Sequence, residues 1–138
     1  MSYDPNYKNE AYQCGALFAV LEKAQEEASG GEVNATIGDR YYGAASTAPG
    51  SVFGALLKLN RAHLTKLRKN KPGRHTQFVK WIGELMQLWD KGFPRHLSPE
   101  DQGRFAIGYY QRRQEFFQKQ DDSRNDESQD AQPELSLD

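Results

Sequence analysis

Apolar residues recur at spacings of three and four along five stretches of the chain, which predicts five amphipathic helices. In the first, Ala11, Cys14, Leu17, Phe18, Leu21, Ala24, Gln25 and Ala28 share a stripe, with Asp4 as the expected N-cap, Pro5 at the first helical position and Gly30-Gly31 as the stop. The second is shorter: Asn34 or Thr36 caps it, and Ile37, Tyr41, Ala44 and Ala45 face inward. Gly38 and Gly43 lower its intrinsic propensity by up to about 1 kcal/mol each, so neighbouring elements must hold it. The third carries Phe53, Leu56, Leu57, Asn60, Leu64 and Leu67 and ends near Asn70, where Lys71-Pro72-Gly73-Arg74 predicts a turn. In the fourth, Phe78, Trp81, Ile82, Leu85, Leu88 and Trp89 follow the same period before Gly92 and Pro94. Ser98-Pro99-Glu100-Asp101 then combines an N-cap hydroxyl, a first-turn proline and two carboxylates at the positive end of a helix dipole. The fifth helix it opens turns Phe105, Ala106, Tyr109, Phe116 and the Arg113 stem inward and ends near Gln120.

Val, Ile and Thr number only 11 and nowhere alternate with polar residues, as a half-buried strand requires. The fold expected is therefore all-α, a compact bundle of about five helices occupying residues 1–120 as one domain. Residues 121–138 hold three apolar side chains, Ala131, Leu135 and Leu137, too few to offset the entropy of ordering them, and are expected to form a disordered acidic tail.

Charge sharpens this picture. The 138 residues have a formal net charge of -1, but residues 1–120 carry 17 Lys+Arg against 12 Asp+Glu, while residues 121–138 carry one Arg against seven acids. Within the basic part, no carboxylate occurs between Asp39 and Glu84. That window holds Arg40, Lys58, Arg61, Lys66, Arg68, Lys69, Lys71, Arg74 and Lys80. A solvated helix face is the plain reading of such a run. However, exposed helices ordinarily interleave Glu with Lys, and here those partners are missing. Lys71 to Arg74 reads as a flexible basic turn, and Arg112-Arg113 stands beside Tyr109-Tyr110, a pairing suited to phosphate clamping or base stacking. The candidate nucleic-acid contacts are Arg40, Lys58, Arg61, Lys66, Arg68, Lys69, Lys71, Arg74, Arg112 and Arg113. The two tyrosines diverge by about 100° on a helix, so one belongs to the core.

Catalytic and metal chemistry find little support. His63, His75 and His96 are far apart, no HExxH or Cys pair is present, and the glycines lack the lysine and preceding strand of a phosphate loop. Cys14 lies on the packing stripe of the first helix and reads as a small hydrophobe. No catalytic residue, cofactor or metal is expected, and the chain reads as a non-enzyme. Without a secretory leader or a bilayer-length apolar run, it reads as soluble and cytoplasmic, with no membrane partner.

Three blocks carry a resemblance: residues 15–46 (GALFAVLEKAQEEASGGEVNATIGDRYYGAAS), 62–69 (AHLTKLRK) and 93–117 (FPRHLSPEDQGRFAIGYYQRRQEFF). They resemble the C-terminal part of the large subunit of the type I-C CRISPR effector complex, Cascade, over roughly residues 9–118. The most specific segments are Asp39 to Ser46 and Gln102 to Gln114, with a departure at Gln111, where the family has His. A chain of this extent starting at Met1 looks like the small subunit of that complex, made from an internal start. The resemblance implies a helical subunit that contacts the backbone subunits, the large subunit and a second copy of itself. It also implies that the subunit holds the displaced non-target DNA strand of the R-loop. A purely structural protein-interaction module without DNA contact is the alternative.

Overall fold

A computed structural model describes residues 2–31 and 36–131, with side chains described as far as Phe117. Five helices and one 3-10 turn make up the described chain: α1 (Glu10–Ala28), α2 (Ile37–Thr47), α3 (Pro49–Asn70), α4 (Pro72–Met86), the 3-10 turn Gln87–Trp89, and α5 (Pro99–Ala131). There is no strand among the described residues. The all-α bundle inferred from periodicity is thus the observed architecture. The tail's side chains, and Asn34 as an alternative cap, lie outside the described residues.

Helix α1 is the axis of the bundle. It touches all four other helices and packs most extensively on α5. Every residue from Ala11 to Ala24 is buried, including Gln13, Glu22 and Lys23, so the single stripe expected from the sequence is instead a helix enclosed all round. Phe18 sits at its centre. Its ring lies 5.7 Å from Tyr42 of α2, 6.4 Å from Phe53 of α3, and 6.1 and 5.7 Å from Phe105 and Tyr109 of α5. Four helices therefore meet on one aromatic side chain.

Such close packing of α1 on α5 depends on two glycines. A methyl at Gly15 would run into the backbone carbonyl of Phe105, and one at Gly108 into the carbonyl of Tyr12. Each glycine lets the opposite backbone approach to a distance no side chain permits.

Local signals explain most boundaries. Thr36 and Asp39 form a capping box at α2, and Ser98 Oγ accepts from the Asp101 N–H at 3.1 Å to start α5. Gly30 and Gly31, at φ of 69° and 86°, end α1.

Besides α5, which continues to Ala131 past the end expected near Gln120, two boundaries differ from expectation. Helix α1 begins at Glu10 with Asn9 as its N-cap, not at Asp4, because residues 2–9 are held as a separate segment. The buried Gln13 amide donates to the carbonyls of Asp4 and Tyr7 at 3.1 and 2.7 Å and accepts from the Tyr3 hydroxyl at 2.6 Å. The second difference is at Lys71-Pro72-Gly73-Arg74. Pro72 is the first residue of α4, so Lys71 alone separates α3 from α4 and no flexible basic turn exists.

Candidate nucleic-acid interface

Helix α3 buries Phe53, Leu56, Asn60 and Leu67 and leaves Lys58, Arg61, Lys66, Arg68 and Lys69 exposed. At 100° per residue, Lys58, Arg61, Arg68 and Lys69 share an arc of about 100°, opposite the buried side. Lys58 and Lys69 stand about 16 Å apart along the axis. Lys66 flanks this strip and Lys71 extends it beyond the helix end. Among the described residues none of these six cations makes an ion pair. The sequence reason is the acid-free window itself: neither α3 nor the first two turns of α4 supplies a carboxylate. Beside the strip, half-buried His63 has its pKa lowered, first by burial and then by the Lys66 charge.

The other four predicted contacts are placed differently. Arg40 is exposed on α2 and forms no ion pair among the described residues, but it belongs to another helix. Arg74 is partly exposed but is engaged within the chain. Its Nε and an Nη donate to the two oxygens of Glu27 at 2.7 Å each, and its guanidinium lies 5.1 Å from the Phe78 ring. The Glu27 hydrogen bonds raise its pKa further above the ordinary arginine value.

Arg112 is 7% exposed and faces Tyr3, Trp81 and Phe116, so it is not available as a surface clamp. On α5 it is Arg112, not Arg113, that turns inward. The reason is the register: Arg112 follows Phe105 by seven residues and Gly108 by four, whereas Arg113 lies a further 100° around the helix. Arg113, half-exposed, has its Nε 3.9 Å from Glu22 Oε1 and its guanidinium 5.3 Å from the Phe117 ring. Of the tyrosine pair, Tyr109 is buried and Tyr110 is 58% exposed. The Tyr109 hydroxyl donates to Glu22 Oε1 at 2.6 Å, and burial followed by that carboxylate pushes its pKa up.

Sequence reasoning missed the polar side chains that organise α1 and α5. Glu22 lies on the buried side of α1, and Gln111 accepts from the Tyr12 hydroxyl across the helix pair. Only the spacing of the polar residues against a wholly buried helix could have flagged them, and that burial is tertiary information. Burial also pushes the Cys14 thiol pKa up, which suits a packed hydrophobe. Among the described residues no group of three or more His, Cys, Asp or Glu is placed to hold a metal, and no helix is long and apolar enough to cross a membrane.

Fold and surface together define a helical module with one lopsidedly cationic side. A family model described as CRISPR-associated protein (Cas_Csd1) matches residues 1–117, and the chain belongs to that family. No curated protein matches the chain. The match stops at Phe117, just before the acidic segment.

Proposed function

We propose that this CRISPR-associated protein is the non-catalytic small subunit of a type I-C Cascade complex, lying against the backbone subunits, the large subunit and a second copy of itself. Its α3 strip holds the displaced non-target strand of the R-loop through sequence-independent phosphate contacts, while guide pairing reads the sequence. The observation that carries this reading is the row formed by Lys58, Arg61, Arg68 and Lys69, exposed along about 16 Å of helix and without ion pairs among the described residues. Unpaired cations in a row lower the cost of approach for a polyanion and release its counterions on contact. Arg74 and Arg112, engaged inside the chain, are not part of that surface.

The test is charge reversal of Lys58, Arg61 and Lys69 together in the assembled complex. The expected result is weaker R-loop formation, a shallower salt dependence and unchanged thermal unfolding. Target binding and salt slope identical to the parent complex would overturn the assignment.

A second reading, a protein-interaction module that never touches DNA, is favoured by Leu59 and Val79, which are 44% and 46% exposed on α3 and α4. On that reading the same triple reversal abolishes assembly before any DNA is added.

A further inference from the structure

A recess of about 280 Å³ opens between the N-terminal segment, α4 and α5, away from the α3 strip. Tyr3, Lys8, Trp81, Gln87, Leu88 and Arg112 are among the side chains that line it. Arg112 is its one guanidinium, and the arginine is 93% buried by its 7% exposure. Its Nε is buried with no hydrogen-bond partner. Three rings surround the charge, with Tyr3, Trp81 and Phe116 centroids at 4.3, 5.4 and 5.7 Å. Aromatic faces attract a cation but accept few hydrogen bonds, and a guanidinium carries five N–H donors. Its hydroxyl neighbour is neutral Tyr3, which also feels the Glu115 charge three residues further along α5, but no carboxylate among the described residues forms an ion pair with Arg112. A desolvated arginine without a direct ion-pair partner is a costly arrangement to keep unless something fills the gap.

We infer that this recess is a receptor for a single carboxylate side chain presented by a partner polypeptide, with Arg112 as the anchor. Two observations select that ligand. The guanidinium is too deeply buried for a continuous phosphodiester strand to reach, whereas a Glu or Asp side chain is slender enough to enter. Glu84 also lines the recess and opposes any anion, a dense polyanion more strongly than one carboxylate. Lys8 lines it too and supplies a second cation, its Nζ 3.2 Å from the Pro5 carbonyl. Gln13, though also in the lining, is fully engaged with Tyr3, Asp4 and Tyr7 and contributes no free donor. This inference stands apart from the DNA reading, since it uses none of the α3 cations.

The experiment follows the Arg112 Nε–H resonance of the full chain by NMR during titration with N-acetyl-glutamate amide. The neutral glutamine analogue and inorganic phosphate serve as parallel arms. The expected result is a saturable shift with the glutamate compound, with millimolar affinity in keeping with so small a ligand, and little response to the glutamine compound. A Gln87→Glu variant, which places a carboxylate at the exposed edge of the recess, is expected to weaken that titration at least several-fold while keeping the fold. No saturable shift up to about 100 mM would overturn the proposal, as would equal shifts with glutamate and glutamine compounds or tighter binding of phosphate than of glutamate.

Discussion

Arg74 grips both carboxylate oxygens of Glu27 at 2.7 Å, fastening the first turn of α4 to the last turn of α1. Fork-to-fork geometry of this kind is stronger than a simple ion pair, but Arg74 is 40% exposed in its side chain and solvent screens part of the gain. In a double-mutant cycle with Arg74→Met and Glu27→Gln, the coupling energy is expected to be about 1 kcal/mol, measured by urea denaturation at low salt. A coupling indistinguishable from zero would mean that the aromatic contacts to Phe78 and Trp81, not the charge, hold Arg74 in place.

Glycine-to-alanine substitution is expected to change sign with position. Gly15→Ala and Gly108→Ala each force a methyl into a facing backbone carbonyl and should destabilise the fold by about 2 kcal/mol or more. Gly83→Ala, in α4 with open space around it, should stabilise by about 0.5–1 kcal/mol through helix propensity alone. Thermal melts of the three variants side by side check the contrast.

Removing the Tyr109 hydroxyl leaves buried Glu22 with Arg113, at 3.9 Å, as its ion-pair partner among the described residues. Tyr109→Phe should therefore cost about 1–3 kcal/mol. Because its folded pKa is pushed up, the tyrosine's contribution is present below the free-tyrosine value near 10 and is lost as pH rises through and beyond it. The parent chain should lose more stability than Tyr109→Phe between about pH 9 and 11, read from urea midpoints.

His63 works in the opposite direction. Its folded pKa is lowered, so the neutral form is favoured in the fold; stability is full above the ordinary histidine value of 6.5 and falls as acid protonates the unfolded chain first. His63→Gln should flatten the urea midpoint between about pH 7.5 and 5.5, and an unchanged slope would assign that window to other groups.

Each α3 cation that touches phosphate should contribute about 0.7 to the slope of log affinity against log salt for a single strand. Single reversals at Lys58, Arg61 and Lys69 should each remove roughly that amount, whereas Arg74→Met, whose charge is held by Glu27, should leave the slope unchanged. Fluorescence anisotropy on a labelled oligonucleotide with the assembled complex reads both.

The helices were legible because their signals are local: the Ser98-Pro99 start of α5, the Gly30-Gly31 end of α1 and the three-and-four spacing of Phe53, Leu56, Asn60 and Leu67 need no knowledge of distant residues. The start of α1 was not legible. Asp4-Pro5 has every local mark of a cap, and only the buried Gln13, reaching back to the Asp4 and Tyr7 carbonyls, holds that segment out of the helix.

The same division runs through the cationic surface. The absence of acids between Asp39 and Glu84 is a property of the chain alone, and helical period places Lys58, Arg61, Lys66 and Lys69 off the apolar face of the third helix. Which cations are neutralised depends on residues far away in the chain: Glu27, forty-seven positions before Arg74, engages that arginine, and Tyr3 and Trp81 close over Arg112. Charge content is written residue by residue, but its availability is set by packing, because a side chain's partner is whatever the fold brings within about 4 Å.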